Sequence, residues 1–193
     1  SQAYIALFTR PDGVTLDVTK QAKAALADAA LARLDGSTVY PTADGATTLN
    51  IEYEGQTVSI PVAVKDAAVD RPISFRLDVM PVFMRSGCNT GSCHGAARGK
   101  DGFNLSLFGF DPGGDYHRIT HEIGFRRINL ALPRESLLMQ KAAGEVPHTG
   151  GKRFAPDSPY YQAVLRWLES GVPNDPPEVA TCTSLEIYPP KAV

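Results

Sequence analysis

Cys88 and Cys93 are separated by four residues, and His94 directly follows the second thiol. That order of side chains suits covalent attachment of a haem: two thioethers fix one porphyrin edge, and the adjacent imidazole reaches under the iron as proximal ligand. The usual spacer between such thiols is two residues long. The longer spacer here contains Gly91, expected to let the chain loop outward without steric strain. Two other chemistries compete for the same residues. The thiols can close a local disulfide, which leaves His94 incidental. They can also bind zinc with His117 and His121, which share a helical face at i,i+4 and complete a C-x4-C…H-x3-H series. The 23 residues between Cys93 and His117 exceed finger spacing, and zinc leaves His94 unused, so haem is the leading expectation.

The elements that must position these groups change character along the chain. Up to about residue 64 the pattern is that of strands: Leu49, Ile51 and Tyr53, then Val58, Ile60, Val62 and Val64, alternate with polar or small residues. Glu54-Gly55 lies between the two runs and predicts a tight hairpin turn. Asp35-Gly36 and Asp44-Gly45 are further turn signals, and residues 14–18 a further strand. The alanine-rich residues 20–34 favour helix on propensity alone; the expectation is a short turn or helix followed by strand. Residues 65–74 lose the alternation and contain a proline, as a linker does.

Helical signals follow. Residues 78–85 lead into Cys88; Tyr116, Ile119 and Ile123 fall on one face before Gly124; residues 135–142 form a third candidate. The clearest helix has Asp157 or Ser158 as N-cap, Pro159 in its first turn, Tyr161, Val164, Leu165 and Leu168 on one side, and Gly171 as stop.

The 193 residues suit one large or two small domains, and two are expected. The formal net charge of −2 arises from 19 basic and 21 acidic side chains without a block of like charge, so nucleic-acid binding and polybasic membrane docking have no support. No apolar run is long enough to span a bilayer. The start at Ser1 is compatible with a processed chain or a piece of a larger protein. Three cysteines make no disulfide framework, and Cys182 stands apart from the other two.

Residues 10–64, with Asp17-Val18-Thr19, Asp35-Gly36, Asp44-Gly45-Ala46-Thr47 and the run from Val58 to Val64, resemble a bacterial Ig-like domain of the group-2 type. That implies a spacer or interaction module. Residues 72–178 resemble the cytochrome c domain of large planctomycete surface and periplasmic proteins. The resemblance rests on Asp78-Val-Met-Pro, Gly87-Cys88, Cys93-His94-Gly95, residues 102–107, Ser136-Leu-Leu, Val146-Pro147-His148 and the helix bearing Trp167. It implies one covalent haem c in a larger multidomain protein, with unknown redox proteins as partners. Covalent haem attachment takes place outside the cytoplasm, which implies a periplasmic or cell-surface location.

The second axial ligand decides what such a haem does. Histidine or methionine closes the iron for electron transfer, whereas an open position favours small-molecule binding or peroxidase-like chemistry. The resemblance implies a ligand-bearing loop where His148 lies, and His148 is the expected distal ligand. Met139, on an apolar helix face, and Cys182 are the alternatives. Trp167 resembles the terminal-helix aromatic that packs near the haem edge in class I cytochromes c. Phe103, Leu105 and Leu107 alternate as a pocket wall would, though a plain core edge has the same pattern. Arg98, Lys100, Lys152 and Arg153 are candidate propionate partners, or solvated surface.

The expected fold is therefore multidomain. An all-β Ig-like sandwich (1–68) precedes a mostly α cytochrome c-like domain (69–178), and residues 179–193, ending in a Tyr188-Pro189-Pro190 segment, form a tail or the start of a further β module. The expected function is extracytoplasmic electron transfer without bond chemistry; the alternatives are a haem-based sensor or peroxidase-like site with an open sixth position, or a zinc-stabilised structural or adhesion module.

Overall fold

The computed structural model of the chain describes residues 1–124 and 126–187. Two compact units emerge, one built on Ser1–Arg71, with residues 183–187 grouped with it, and one on Pro72–Cys182. The segment containing Tyr188, expected to open a further β module, lies outside the described residues.

Among its described residues the first unit contains eight strands: β1 (Gln2–Ala3), β2 (Leu7–Thr9), β3 (Thr15–Asp17), β4 (Lys23–Leu26), β5 (Ala32–Asp35), β6 (Thr38–Pro41), β7 (Gly45–Tyr53) and β8 (Gln56–Val64). β7 and β8 pair antiparallel from Tyr53↔Gln56 to Gly45↔Val64. Glu54 and Gly55, with φ of 47° and 77°, form the turn between them, positive at both positions as a two-residue type I′ turn requires.

An Ig-like sandwich does not form, which corrects the expectation for this region. The strands divide into three small sheets, ordered β1-β6-β5, β2-β3 and β4-β7-β8. Six of the strands have two to four residues, too few to build two covering layers. β8 alternates in sequence yet is exposed along most of its length, Val58 to 59%. Period two thus marks a strand here without a second sheet to cover it. The core is small: Ala32, Val39, Leu49, Ile51 and Val64.

In the second unit a π-helical turn at Phe75–Val79 runs into α1 (Met80–Arg85), followed by α2 (Pro112–Thr120), α3 (Leu137–Ala143) and α4 (Pro159–Glu169). The expectation of a mostly α domain is also overturned, because the helices are short and the connections between them occupy more than half of this unit. Glycine and proline are the reason. Gly87, Gly99, Gly102, Gly109, Gly144, Gly151 and Gly171 all have positive φ, a conformation that ends a helix.

α4 is the best-specified helix. The Ser158 hydroxyl accepts from the Tyr161 N–H at 3.2 Å, Pro159 occupies the first turn, and Gly171 (φ 81°) follows the end. Its buried face of Tyr161, Val164, Leu165, Trp167 and Leu168 packs in one core with Phe75, Val79, Phe83, Ile119 and Met139. Each of the large aliphatic or aromatic side chains buried there contributes about 1.5–3 kcal/mol.

Candidate functional site

The segment after α1 is folded back on itself by backbone hydrogen bonds. Cys88 N–H donates to the Phe83 carbonyl (2.9 Å), Cys93 N–H to Thr90 (3.0 Å), His94 N–H to Cys88 (3.0 Å) and Gly95 N–H to Thr90 (3.0 Å). The spacer is therefore a closed turn that returns Cys93 and His94 to Cys88. Gly91 does not perform the role expected of it. A Cβ there would meet nothing closer than 3.9 Å, and its φ is not positive. The glycine the turn requires is Gly95, whose Cβ would lie 2.2 Å from the Asn89 carbonyl oxygen.

His94 is held from behind. Its Nδ1 lies 3.0 Å from the Phe103 carbonyl oxygen, so Nδ1 carries the hydrogen and Nε2 keeps its lone pair. The Phe103 ring packs on the imidazole at 4.6 Å between centroids. Buried Arg127 in turn stacks on Phe103 at 4.5 Å. Its guanidinium donates to the carbonyls of Arg118, Glu122 and Gly102 and pairs with the Glu122 carboxylate at 3.2 Å. This ties the loop that carries Phe103 to the end of α2. Burial lowers the His94 pKa below its ordinary value and nearby His148 adds to this, against the Phe103 carbonyl and the Asp101 charge.

His148 faces His94 from the loop between α3 and α4. The ring centroids are 6.2 Å apart and the planes within 9° of parallel. Its Nδ1 lies 2.9 Å from the Gly151 carbonyl oxygen, which again leaves Nε2 with the lone pair. Gly150 packs under the imidazole, where a Cβ would come within 2.9 Å of Cε1. The ammonium of Lys141 holds the Pro147 carbonyl at 2.9 Å and so fastens this loop to α3.

Both histidines and both thiols line one partly open cleft of about 250 Å³. Its walls are apolar, with Phe83, Phe103, Leu105, Leu137, Leu138 and Phe154, and cations gather around them: Lys100, Arg126, Arg127, Lys141 and Arg153. The two thiols differ. Burial pushes Cys88 up to about 11, while the charge of Arg153 opposes it. At Cys93 desolvation also raises the pKa, but hydrogen bonds from Thr90, Arg153 and Ser92 and the Arg153 charge outweigh it and hold the thiol below its usual value. Arg153 Nη2 lies 3.5 Å from Cys93 Sγ.

These residues fit a haem with two histidine ligands. His94 and His148 would be the residues to hold its iron, since each has Nδ1 engaged by a backbone carbonyl and Nε2 left with a lone pair, and the walls are apolar with cations beside them.

Other sequence candidates fall elsewhere. Trp167 is completely buried in the core against Phe75 and Tyr116, donates Nε1–H to the Pro173 carbonyl at 3.0 Å, and does not line the cleft. Met139 is also core. Leu107 is partly exposed outside the cleft, and Cys182 is exposed. Of the four cations named from sequence, Lys100 and Arg153 line the cleft, and Arg98 and Lys152 do not. Cys88 and Cys93 are not joined in a disulfide. His117 and His121 do not meet them: among the described residues no three of His, Cys, Asp and Glu are arranged to hold a metal ion. Sequence reasoning missed Arg126, Arg127 and Lys141. Their only signal was a basic residue near an apolar helix, which surface residues share.

No protein-family profile, no curated protein and no solved structure matches this chain.

Proposed function

We propose that the second unit is a monohaem c-type cytochrome module for electron transfer outside the cytoplasm. Cys88 and Cys93 hold the haem covalently, with His94 as proximal and His148 as distal ligand. The observation that carries this reading is the facing pair of imidazoles, 6.2 Å apart with both Nδ1 atoms engaged by carbonyls. The resemblance of residues 72–178 to planctomycete-type cytochrome c domains supports it further.

The haem supplies one-electron exchange between ferrous and ferric iron. The protein's part is to orient, exclude water and set the potential. The Phe103 and Gly151 carbonyls fix both rings and raise imidazole basicity, which favours the ferric state. The cations at the cleft rim act in the opposite direction and neutralise propionates. Apolar walls keep solvent from the metal. With two imidazoles the potential lies below that of a His/Met pair. No helix among the described residues is long and apolar enough to cross a membrane. The partners are redox proteins, and an extracytoplasmic location follows from where haem is attached.

The test is a visible spectrum of the full chain made in a host with cytochrome c maturation. Sharp α and β bands in the reduced form that survive acid-acetone extraction are expected, with no response to carbon monoxide. In His148→Ala the reduced protein binds carbon monoxide. A colourless protein refutes haem. Carbon monoxide binding to the unaltered protein refutes His148 ligation and favours a sensor or peroxidase-like site.

A further inference from the structure

α2 carries another pair of imidazoles. His117 and His121 lie one turn apart on its exposed side, with centroids 5.3 Å apart and planes within 7° of parallel. Neither lines the cleft of His94 and His148. The helix end fixes their spacing: the His117 carbonyl accepts from His121 N–H at 2.8 Å and from Glu122 N–H at 3.0 Å.

Thr120 decides which nitrogen of His121 is available. Its hydroxyl donates to the Tyr116 carbonyl at 2.7 Å, which uses its single hydrogen. The same oxygen lies 2.6 Å from His121 Nδ1 and must accept there, so Nδ1 carries the hydrogen. Nε2 is left with its lone pair. A ring oriented through its other nitrogen by a neighbouring acceptor is the arrangement found behind metal-bound histidines. Two imidazoles on one tetrahedral ion, with bonds of about 2.0 Å, have centroids about 5 Å apart. The observed 5.3 Å is close to that spacing, so a small rotation about the side-chain bonds of these exposed rings brings both to one ion.

We propose that His117 and His121 bind one Zn²⁺ ion, through Nε2 of His121 and a ring nitrogen of His117. Water fills the remaining positions, because no third His, Cys, Asp or Glu joins them among the described residues. The site uses neither Cys88 nor Cys93. It does not depend on the haem reading.

The experiment is a Zn²⁺ titration of the full chain followed by histidine side-chain ¹H–¹⁵N correlation spectra, in which each ring is resolved. His117 and His121 are expected to shift together and saturate with one ion at micromolar zinc, and His121→Ala to abolish the His117 shift. Thr120→Val keeps the side-chain size and removes the acceptor, and binding is expected to weaken by at least about tenfold. Circular dichroism confirms that α2 remains folded in that variant. Independent shifts, or shifts only at millimolar zinc, overturn the site. Unchanged affinity in Thr120→Val also overturns it, as an adventitious surface chelate only.

Discussion

The two units bury different kinds of atom. In the first, the described buried side chains are all apolar and few: Val18, Ala32, Val39, Leu49, Ile51 and Val64. In the second, all the described buried polar residues are found: Ser74, Asn89, Ser106, Asp115, Arg127 and Ser136. Most are absorbed in networks. Asp115 accepts from Ser106 N–H at 2.6 Å and Ser106 Oγ–H at 2.5 Å and pairs with Arg118 at 3.0 Å, and the Ser136 hydroxyl accepts from Asn129 N–H at 2.9 Å. Buried polar groups cost stability unless every partner is in place, so a segment that keeps them has its loops fixed by many constraints. This is what a site needs. The loops carrying His94 and His148 hold their geometry because Arg127, Lys141 and glycines without room for a Cβ leave them no alternative.

The contrast breaks most sharply at Trp167. Trp167→Ala removes the largest fully buried side chain and is expected to destabilise the second unit by about 3–5 kcal/mol. Urea unfolding followed at 222 nm reads the loss, and a change below about 1 kcal/mol contradicts the account of that core. Leu49, 2% exposed, is the counterpart in the first unit. Leu49→Ala is expected to cost about 2–3 kcal/mol, toward the lower end for such changes because a small core relaxes more readily. Amide exchange should speed up in β7 and β8, and the protections of α1–α4 should remain. Loss of protection in α4 shows that the units do not keep separate cores.

The thiols sharpen the comparison within the second unit. In the chain as it folds without a cofactor, iodoacetamide should label Cys93 at pH 8 and leave Cys88 largely unmodified. A pKa of about 11 leaves about one Cys88 molecule in a thousand as thiolate at that pH. Because burial raises this pKa, Cys88 labelling should increase with pH up to about 11 or on adding urea. Peptide mapping by mass spectrometry distinguishes the two, and equal rates at pH 8 contradict the burial of Cys88. The smallest effect belongs to β8. Val58→Thr, on an exposed strand face, should change stability by less than about 0.5 kcal/mol in the same urea assay.

Features encoded by neighbouring residues were legible without coordinates. The Glu54-Gly55 turn needs only two positive φ values, and α4 declares itself through Ser158, Pro159, its apolar stripe and Gly171. The order of Cys88, Cys93 and His94 singles out a candidate site from sequence, with haem, zinc and a disulfide as competing readings, because the three side chains lie within seven residues. The sandwich and the mostly helical domain were expected from sequence and do not form. Alternation in β8 reports a strand but not whether another sheet covers it, and helix signals do not reveal how much glycine-rich chain lies between them. Trp167 looked the same as a cofactor contact or as core.

The amino-acid order determined the thiol-imidazole cluster, the hairpin and the capped helix, since each is settled by interactions a few bonds away. Tertiary structure alone decided that His148 stands 6.2 Å from His94 across 54 positions of sequence, that Arg127 supports Phe103, and that Trp167 belongs to the core. Such pairings depend on which packing of the whole unit satisfies its buried apolar surface and polar groups together, and no local window of residues contains that sum.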